Sequence, residues 1–463
     1  MGFAELPAEL QIEILSYLER PDLKAARAVS RSFRDNTSPS LFKSTVACPR
    51  YQALGAMQKI SLHSVYQIYV KTIIFDGSVY DGDLANNEQR YLIQADECAE
   101  INTGFRWEKH TRYKRYQQLF REQEDMRTGG VLFAEISRAL EWMVNVSSLV
   151  YSPGPRNIPI ERKTMKDILP RGIGGARGMG VESYDSFIKS NQHGIHYVIG
   201  AIYASQYTGI HEFRVETVHS GHENRGTEFT IFVFDFPDPM HLEAGRFFFR
   251  QLHKLKLNMS LQLAGTARNT AINPPPILGG PPGFQHANPI HQINFAPGAG
   301  QAFSAAQLVN FASLLREAKN LRELSFHLAH WRPSANLMYG HLISPNQAIF
   351  PHLGLSGTWT KLRSLSLGGI YGTEKDFVSF IRRHKDTLKE VEFKYCSLTS
   401  GLWASVVDEI LENTSIFPFT LNKVNETIIG DAEFHTLVAE EQDRWQYVGK
   451  LSLNAVGLRY FVS

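Results

Sequence analysis

The sequence predicts an α/β protein: a short helical N-terminal module over residues 1–45, followed over 46–463 by an irregular solenoid of parallel strands backed by helices. Three observations carry that prediction. Apolar residues at helical spacing, broken by prolines, fill the N-terminal positions. A strand-like pattern of apolar, two mostly polar, apolar, any and apolar residues recurs from Val70 onward. Stretches of helical period stand between its later copies, and strand and helix in alternation give a parallel sheet with a helical back.

In the N-terminal module, Pro7 suits the first turn of a helix, where its missing N–H costs nothing. Leu10, Ile14, Tyr17 and Leu18 then fall on one stripe. Pro21 is expected to stop this helix and Asp22 to cap the next, so that Leu23, Ala26 and Val29 or Ser30 share a face before Phe33. Ser38-Pro39 is expected to interrupt the chain again before Leu41. Helices this short bury too little to stand alone, so their leftover apolar surface needs the rest of the chain or another protein.

Leu6-Pro7-Ala8-Glu9-Leu10, Leu18, Asp22-Leu23, Val29-Ser30-Arg31-Ser32-Phe33-Arg34 and Leu41-Phe42, in that order, resemble the F-box. The resemblance implies docking onto the Skp adaptor of cullin-RING ubiquitin ligases. By the same resemblance, Leu6, Pro7, Leu10, Ile14, Leu18, Leu23, Val29 and Phe33 supply the adaptor-facing and internal apolar surface. The alternative is a helical cap on the domain that follows.

Leu252 to Leu257, Leu321 to Phe326, Leu362 to Leu367 and Leu388 to Phe393 are the clear copies of the recurring pattern. Weaker ones run over Val70 to Phe75, Val146 to Tyr151, Ile210 to Val215 and Val448 to Leu453. They resemble the strand half of a leucine-rich repeat, so the whole chain is similar to fungal-type F-box proteins with an irregular leucine-rich-repeat-like C-terminal domain. An ordinary α/β domain generates the same hexapeptide. Phe377, Phe380, Ile381 and His384 share one helical stripe, and Trp403, Val406, Val407, Ile410 and Leu411 another. Only the step from Leu362 to Leu388 is compact; the other intervals must hold insertions. Charged, Gln-rich residues from about Asn86 to Arg127 read as helix, whereas the Pro- and Gly-rich stretches 152–180 and 265–300 read as flexible loops.

Strand parity then names a target-binding face. With the apolar positions inward, Glu212, Arg214, Glu216, Lys254, Lys256, Glu323, Ser325, His327, Ser364, Ser366, Glu390, Glu392 and Lys394 point the other way. Their mixed sign favours a specific polypeptide over a polyanion.

Composition excludes several alternatives. With 48 basic against 46 acidic residues the net charge is +2, so no global field draws the chain to nucleic acid or an anionic membrane. Cys48, Cys98 and Cys396 are few, distant and odd in number, which argues against a disulfide scaffold and for a reducing compartment. The N-terminus lacks the features of a secretion signal and no apolar run is long enough to span a bilayer, so residence in the cytoplasm, the nucleus or both is expected.

No chemical motif is complete. The glycines from Gly172 to Gly180 miss the spacing of a phosphate loop, with Arg177 where the third glycine belongs. His193 with His196, and His219 with His222, have a chelating spacing but no cysteine to complete a zinc site. Asp76, Asp81 and Asp83 with Glu88 suggest a calcium loop broken at Ala85, and the run Gly354 to Thr358 lacks the second glycine of a nucleophile elbow. The basic, aromatic run from Arg106 to Tyr116 reads as a solvated helix face with Trp107 and Tyr116 inward rather than a nucleic-acid surface. The expectation is therefore a non-enzymatic substrate-recognition adaptor without metal or cofactor. Its partners are the Skp adaptor with its ligase and an unidentified protein target. The alternatives are a scaffold that binds the adaptor without delivering targets, and an enzyme with an unrecognised site.

Overall fold

The N-terminal residues fold into helices Ala8–Ser16 (α1), Arg20–Arg27 (α2) and Arg31–Leu41 (α3). The computed structural model describes residues 3–76, 80, 82–97, 106–152, 194–215, 231–234, 236, 239–260, 299–329, 348–416, 419–422, 424–426 and 445–446. Two prolines behave differently from the sequence expectation. The first helix ends at Ser16, and Pro21 lies in the first turn of α2 behind an N-cap at Glu19, where a missing N–H is tolerated. Asp22 therefore does not cap α2; it sits in its first turn, facing the positive end of the helix. Pro39 lies inside α3, where the hydroxyls of Thr37 and Ser38 donate to the carbonyls of Phe33 and Arg34, each at 2.7 Å. Ser30 caps α3, accepting from the Phe33 N–H at 3.2 Å.

Leu15, Leu23 and Leu41 form the core of these helices, with Phe3, Ala26, Phe33 and Phe42 packed around them. The Phe3 and Phe33 rings stack with centroids 5.1 Å apart.

Described residues up to Val215 form one compact unit, and those from Ile231 onward form a second. In the first unit, strands Ser44–Ala47 (β1), Thr72–Asp76 (β2), Ser148–Ser152 (β3) and Glu212–Val215 (β4) pair in parallel in that order. Helix Tyr51–Ser61 (α4) joins β1 to β2. Between β2 and β3 stand Gly82–Asn86 (α5), Glu88–Glu97 (α6), Arg106–Thr128 (α7) and Val131–Trp142 (α8). Tyr80, Leu84, Tyr91, Tyr113 and Tyr116 give this insertion its own apolar cluster. Helix α8 packs on α4 and on Gly194–Ala204 (α9), the helix before β4.

The second unit contains helix Pro239–Arg250 (α10), strand Lys254–Ser260 (β5), helix Ala299–Glu317 (α11) and strands Glu323–Ala329 (β6) and Ser364–Gly368 (β7). From there the order is regular: Tyr371–Thr373 (β8), Glu374–His384 (α12), Glu390–Lys394 (β9), Ser397–Ser400 (β10), Trp403–Asn413 (α13), Phe419–Asn422 (β11) and Asn425–Glu426 (β12). Strands β5, β6, β7, β9 and β11 pair in parallel, and Trp445–Gln446 (β13) adds antiparallel to β11. The short strands β8, β10 and β12 make a separate parallel sheet. Both sheets advance together: Ser364 pairs with Glu390 and Tyr371 with Ser397, 26 residues on in each case. Val391 pairs with Phe419 and Ser397 with Asn425, each 28 on.

The strands begin in one recurring way. The Lys43 carbonyl accepts from the N–H groups of Lys71 and Thr72, the Lys71 carbonyl from Ser147 and Ser148, and the Ser147 carbonyl from His211 and Glu212. In the second unit His253 serves Arg322 and Glu323, Arg322 serves Arg363 and Ser364, and Arg363 serves Lys389 and Glu390.

In every described copy of the hexapeptide a strand begins at its third residue, while Val448 to Leu453 lies outside the described residues. So do residues 153–180 and 265–298; Ser152 belongs to β3, and the second stretch gives way to α11 at Ala299. In α12 and α13, Phe377, Phe380, Ile381, His384, Trp403, Val406, Val407 and Ile410 are buried and Leu411 is half-buried. His384 keeps both ring nitrogens occupied: Nδ1–H donates to the Phe380 carbonyl at 2.9 Å and Nε2 accepts the Trp359 N–H at 3.0 Å. Burial, with Arg383 nearby, lowers its pKa despite the bond to Phe380.

Candidate functional site

Two surfaces stand out, one on each unit. On the helices, Leu10, Ile14, Tyr17, Leu18 and Val29 are exposed, Tyr17 by 80% and Val29 by 69%. Of the residues singled out in the sequence, Leu10, Ile14, Leu18 and Val29 lie outside, Pro7 is exposed, Leu6 and Phe33 are half-buried and Leu23 is internal. The sequence reading missed Leu15 as a core residue. Gln11, one turn earlier and also buried, hid the inward stripe because it is polar. The Gln11 amide donates to the Leu6 carbonyl at 2.7 Å and accepts from Asn36 at 2.8 Å, tying α1 to α3.

On the second unit the sheet carries polar residues in registered rows. Lys254, Glu323, Ser364 and Glu390 form one; Lys256, Ser325, Ser366 and Glu392 the next; His327, Gly368 and Lys394 the third. Their apolar neighbours, from Leu255 to Phe393, are buried on the opposite face. Lys254 pairs with Glu323 at 2.6 Å. A chain of bonds crosses three strands. His327 Nε2 lies 2.9 Å from Ser366 Oγ, Ser366 donates to Glu392 at 2.6 Å, and Lys394 pairs with Glu392 at 2.7 Å. Because Ser366 gives its proton to Glu392, His327 Nε2–H must be the donor to Ser366, so this histidine is not aligned as a base toward the hydroxyl.

Burial and the charges of Lys394 and Lys256 push the His327 pKa down to about 4, against the pull of Glu392. Burial works against the Glu392 carboxylate, but hydrogen bonds from Lys394 and Ser366 outweigh it and hold its pKa below the usual range. Gly368 makes room for the imidazole: a Cβ there would come within 2.6 Å of His327 Nδ1. After β7 and β9 the chain turns through a left-handed residue at the same place, Gly369 with φ 66° and Tyr395 with φ 52°. Tyr395 is 44% exposed.

Residues 3–46 match the family model described as F-box-like. An F-box-like domain therefore opens this chain. No curated protein matches the sequence. The F-box-like helices are fastened to the strands of their own unit. Arg20 donates to the carbonyl and hydroxyl of Ser44 on β1, at 2.6 and 3.0 Å. Arg27 bonds Tyr66 and donates to Ser38 at 2.6 Å, and its guanidinium lies over the stacked rings of Phe42 and Tyr66.

The remaining sequence candidates are scattered. Glu212 and Arg214 stand on β4 of the first unit, and Glu216 lies outside the described residues, as do Cys98, His193, His219, His222, Asp81 and the Gly172–Gly180 stretch. His196 is buried on α9. Asp76 is buried on β2 with Arg50 at 3.7 Å. Tyr113 and Tyr116 of α7 face inward, and the Trp107 side chain is outside the description. Cys48 and Cys396 are buried, and burial pushes the Cys396 thiol up to about 12. Among the described residues, no group of three or more His, Cys, Asp or Glu could hold a metal ion, and no helix is long and apolar enough to cross a membrane.

Proposed function

We propose that this chain is a substrate-recognition adaptor of a Skp-cullin-F-box ubiquitin ligase, docking on the Skp adaptor through Leu10, Ile14, Leu18 and Val29 and holding a protein target on the polar sheet face. The observation that carries it is an apolar stripe left uncovered on an F-box-like domain whose own core is complete without it. The equal advance of both sheets by 26 and then 28 residues supports a leucine-rich-repeat-like solenoid in the second unit. In this reading the chain supplies no chemistry itself. It raises the local concentration of target lysines at the ubiquitin-charged enzyme, in the cytoplasm or nucleus.

Co-purification with the Skp adaptor tests it. The wild-type chain should form a stoichiometric complex. The double variant Leu10→Asp, Ile14→Asp should lose it, because burying two carboxylates at an apolar interface costs several kcal/mol, on the order of 4 or more. Failure of the folded wild-type chain to bind removes the ligase reading and leaves the helices as a cap on their own unit. Cullin-dependent turnover of a bound partner separates a ligase receptor from a scaffold.

A further inference from the structure

The strand starts of the second unit carry a charge pattern that the sheet-face reading does not use. The residue just before β6, β7 and β9 is Arg322, Arg363 and Lys389, and all are exposed. The backbone sets them in register: Arg363 N–H donates to the Arg322 carbonyl at 2.8 Å and Lys389 N–H to the Arg363 carbonyl at 2.7 Å. Neighbouring strands lie about 4.8 Å apart, so like charges stand side by side on successive strands. Among the described residues, neither Arg322 nor Arg363 has a side-chain hydrogen bond or ion pair, and Lys389 Nζ reaches only the Ser415 hydroxyl at 3.5 Å.

The nearby carboxylates do not answer this row. Glu323 is held by Lys254 and Glu317 by Arg250. Glu390 belongs to the registered row with Ser364 on the sheet face, and Asp386 is a single charge against three. The negative end of a helix accounts for cations in or just after its last turn, such as Arg316 and Lys385, but not for residues several positions further on. Stacked like charges on adjacent strands weaken a sheet. The pattern recurs at the starts of β1 and β2, where Lys43 and Lys71 are in register and exposed.

We infer that Arg322, Arg363 and Lys389 form a receptor row for an anionic segment of the target polypeptide, one with carboxylates or phosphoryl groups spaced to meet successive strands. The inference rests on the target-receptor reading. Two guanidinium forks at strand spacing suit adjacent carboxylates or a single phosphoryl group, each accepting paired N–H donors. The chain's small net charge gives no general attraction to polyanions, so recognition depends on this row.

The test uses the full chain and three labelled peptides of one length: glutamate-rich, phosphoserine-containing and glutamine-substituted, with heparin as a non-protein polyanion. Saturable binding of either anionic peptide is expected, with no binding of the neutral one. The Arg322→Gln, Arg363→Gln variant should lose about tenfold or more in affinity. Its melting temperature at low salt should be equal to wild type or higher, since repulsion has been removed. Binding of the glutamate peptide names carboxylates as the ligand, and binding of the phosphopeptide alone names the phosphoryl group. The inference falls if neither anionic peptide binds, if the variant binds as well as wild type, if only heparin binds, or if the variant loses its fold. Skp-adaptor co-purification of the same variant is expected to be intact. Loss of peptide binding with the adaptor retained then bears on the row, whereas a wild-type chain that fails to bind the adaptor bears on the ligase reading.

Discussion

The F-box-like helices and the polar sheet face of the second unit both present uncovered side chains, but they are left in opposite conditions. On the helices Leu10, Ile14, Tyr17 and Val29 are exposed among the described residues, above a small core of Leu15, Leu23 and Leu41. On the sheet, His327, Ser366, Glu392 and Lys394 already bond one another. An apolar stripe gains energy only when something covers it. A bonded polar chain is preorganised and resists rearrangement. In the proposed function the helices would supply binding energy to a partner, while the sheet would supply a fixed pattern.

The sharpest way to break this contrast is to move a carboxylate from the outer to the inner side of one small module. Leu23→Asp should unfold the helices, costing at least about 3 kcal/mol in chemical denaturation, because Leu23 is 3% exposed. Leu10→Asp should change stability by no more than about 0.5 kcal/mol. Equal losses would mean that the outer stripe is structural.

On the sheet the contrast is sharpened at Gly368. Gly368→Ala should cost about 1–3 kcal/mol, since the new methyl meets the imidazole, and His327→Ala in the same chain should recover much of it. Additive losses in the double-mutant cycle would contradict the close approach.

A smaller effect separates the surfaces by pH. His327 and His384 both have lowered pKa values, His327 at about 4. An unfolded chain takes up protons near pH 6.5, ahead of the folded one, so stability is full above that value and declines as pH falls toward 4. The His327 contribution should be about 1 kcal/mol after allowance for residual solvent access, and His327→Gln should flatten that part of the profile. The helices carry no histidine, so adaptor binding should hold steady between about pH 7 and 5, above the carboxylate range.

Much of the sheet was legible because a buried parallel strand repeats with period two. Leu255, Leu324, Leu365 and Val391 occupy one register position across four strands, and the hexapeptide marked each of them. Other elements were harder to read. Tyr371–Thr373 and Asn425–Glu426 are too brief to show a period, Ser44–Ala47 has Thr45 where the pattern wants an apolar residue, and Phe419–Asn422 follows Ile416-Phe417-Pro418, whose last two residues are not polar. Pro21 and Pro39 misled the helix boundaries because proline is tolerated where its N–H is not needed or where neighbouring hydroxyls bond the turn. Strand parity named the sheet-face residues, but the bonds among His327, Ser366 and Glu392 arise from pairing across strands 39 and 26 residues apart. No local pattern encodes them.

The shared strand start has a consequence for how this chain can change. Strands β2, β3, β4, β6, β7 and β9 are each aligned by one carbonyl of the preceding strand's start, whether the two strands are 26 residues apart, as from Ser364 to Glu390, or 76, as from Thr72 to Ser148. For a flexible chain, that difference in length alone would be worth only about 1 kcal/mol of closure entropy. Foreign sequence inserted between a strand's end and the next helix should thus leave the alignment untouched. A sensor, a tag or a second recognition element grafted after a strand's end is therefore expected to leave the pairing of that strand intact.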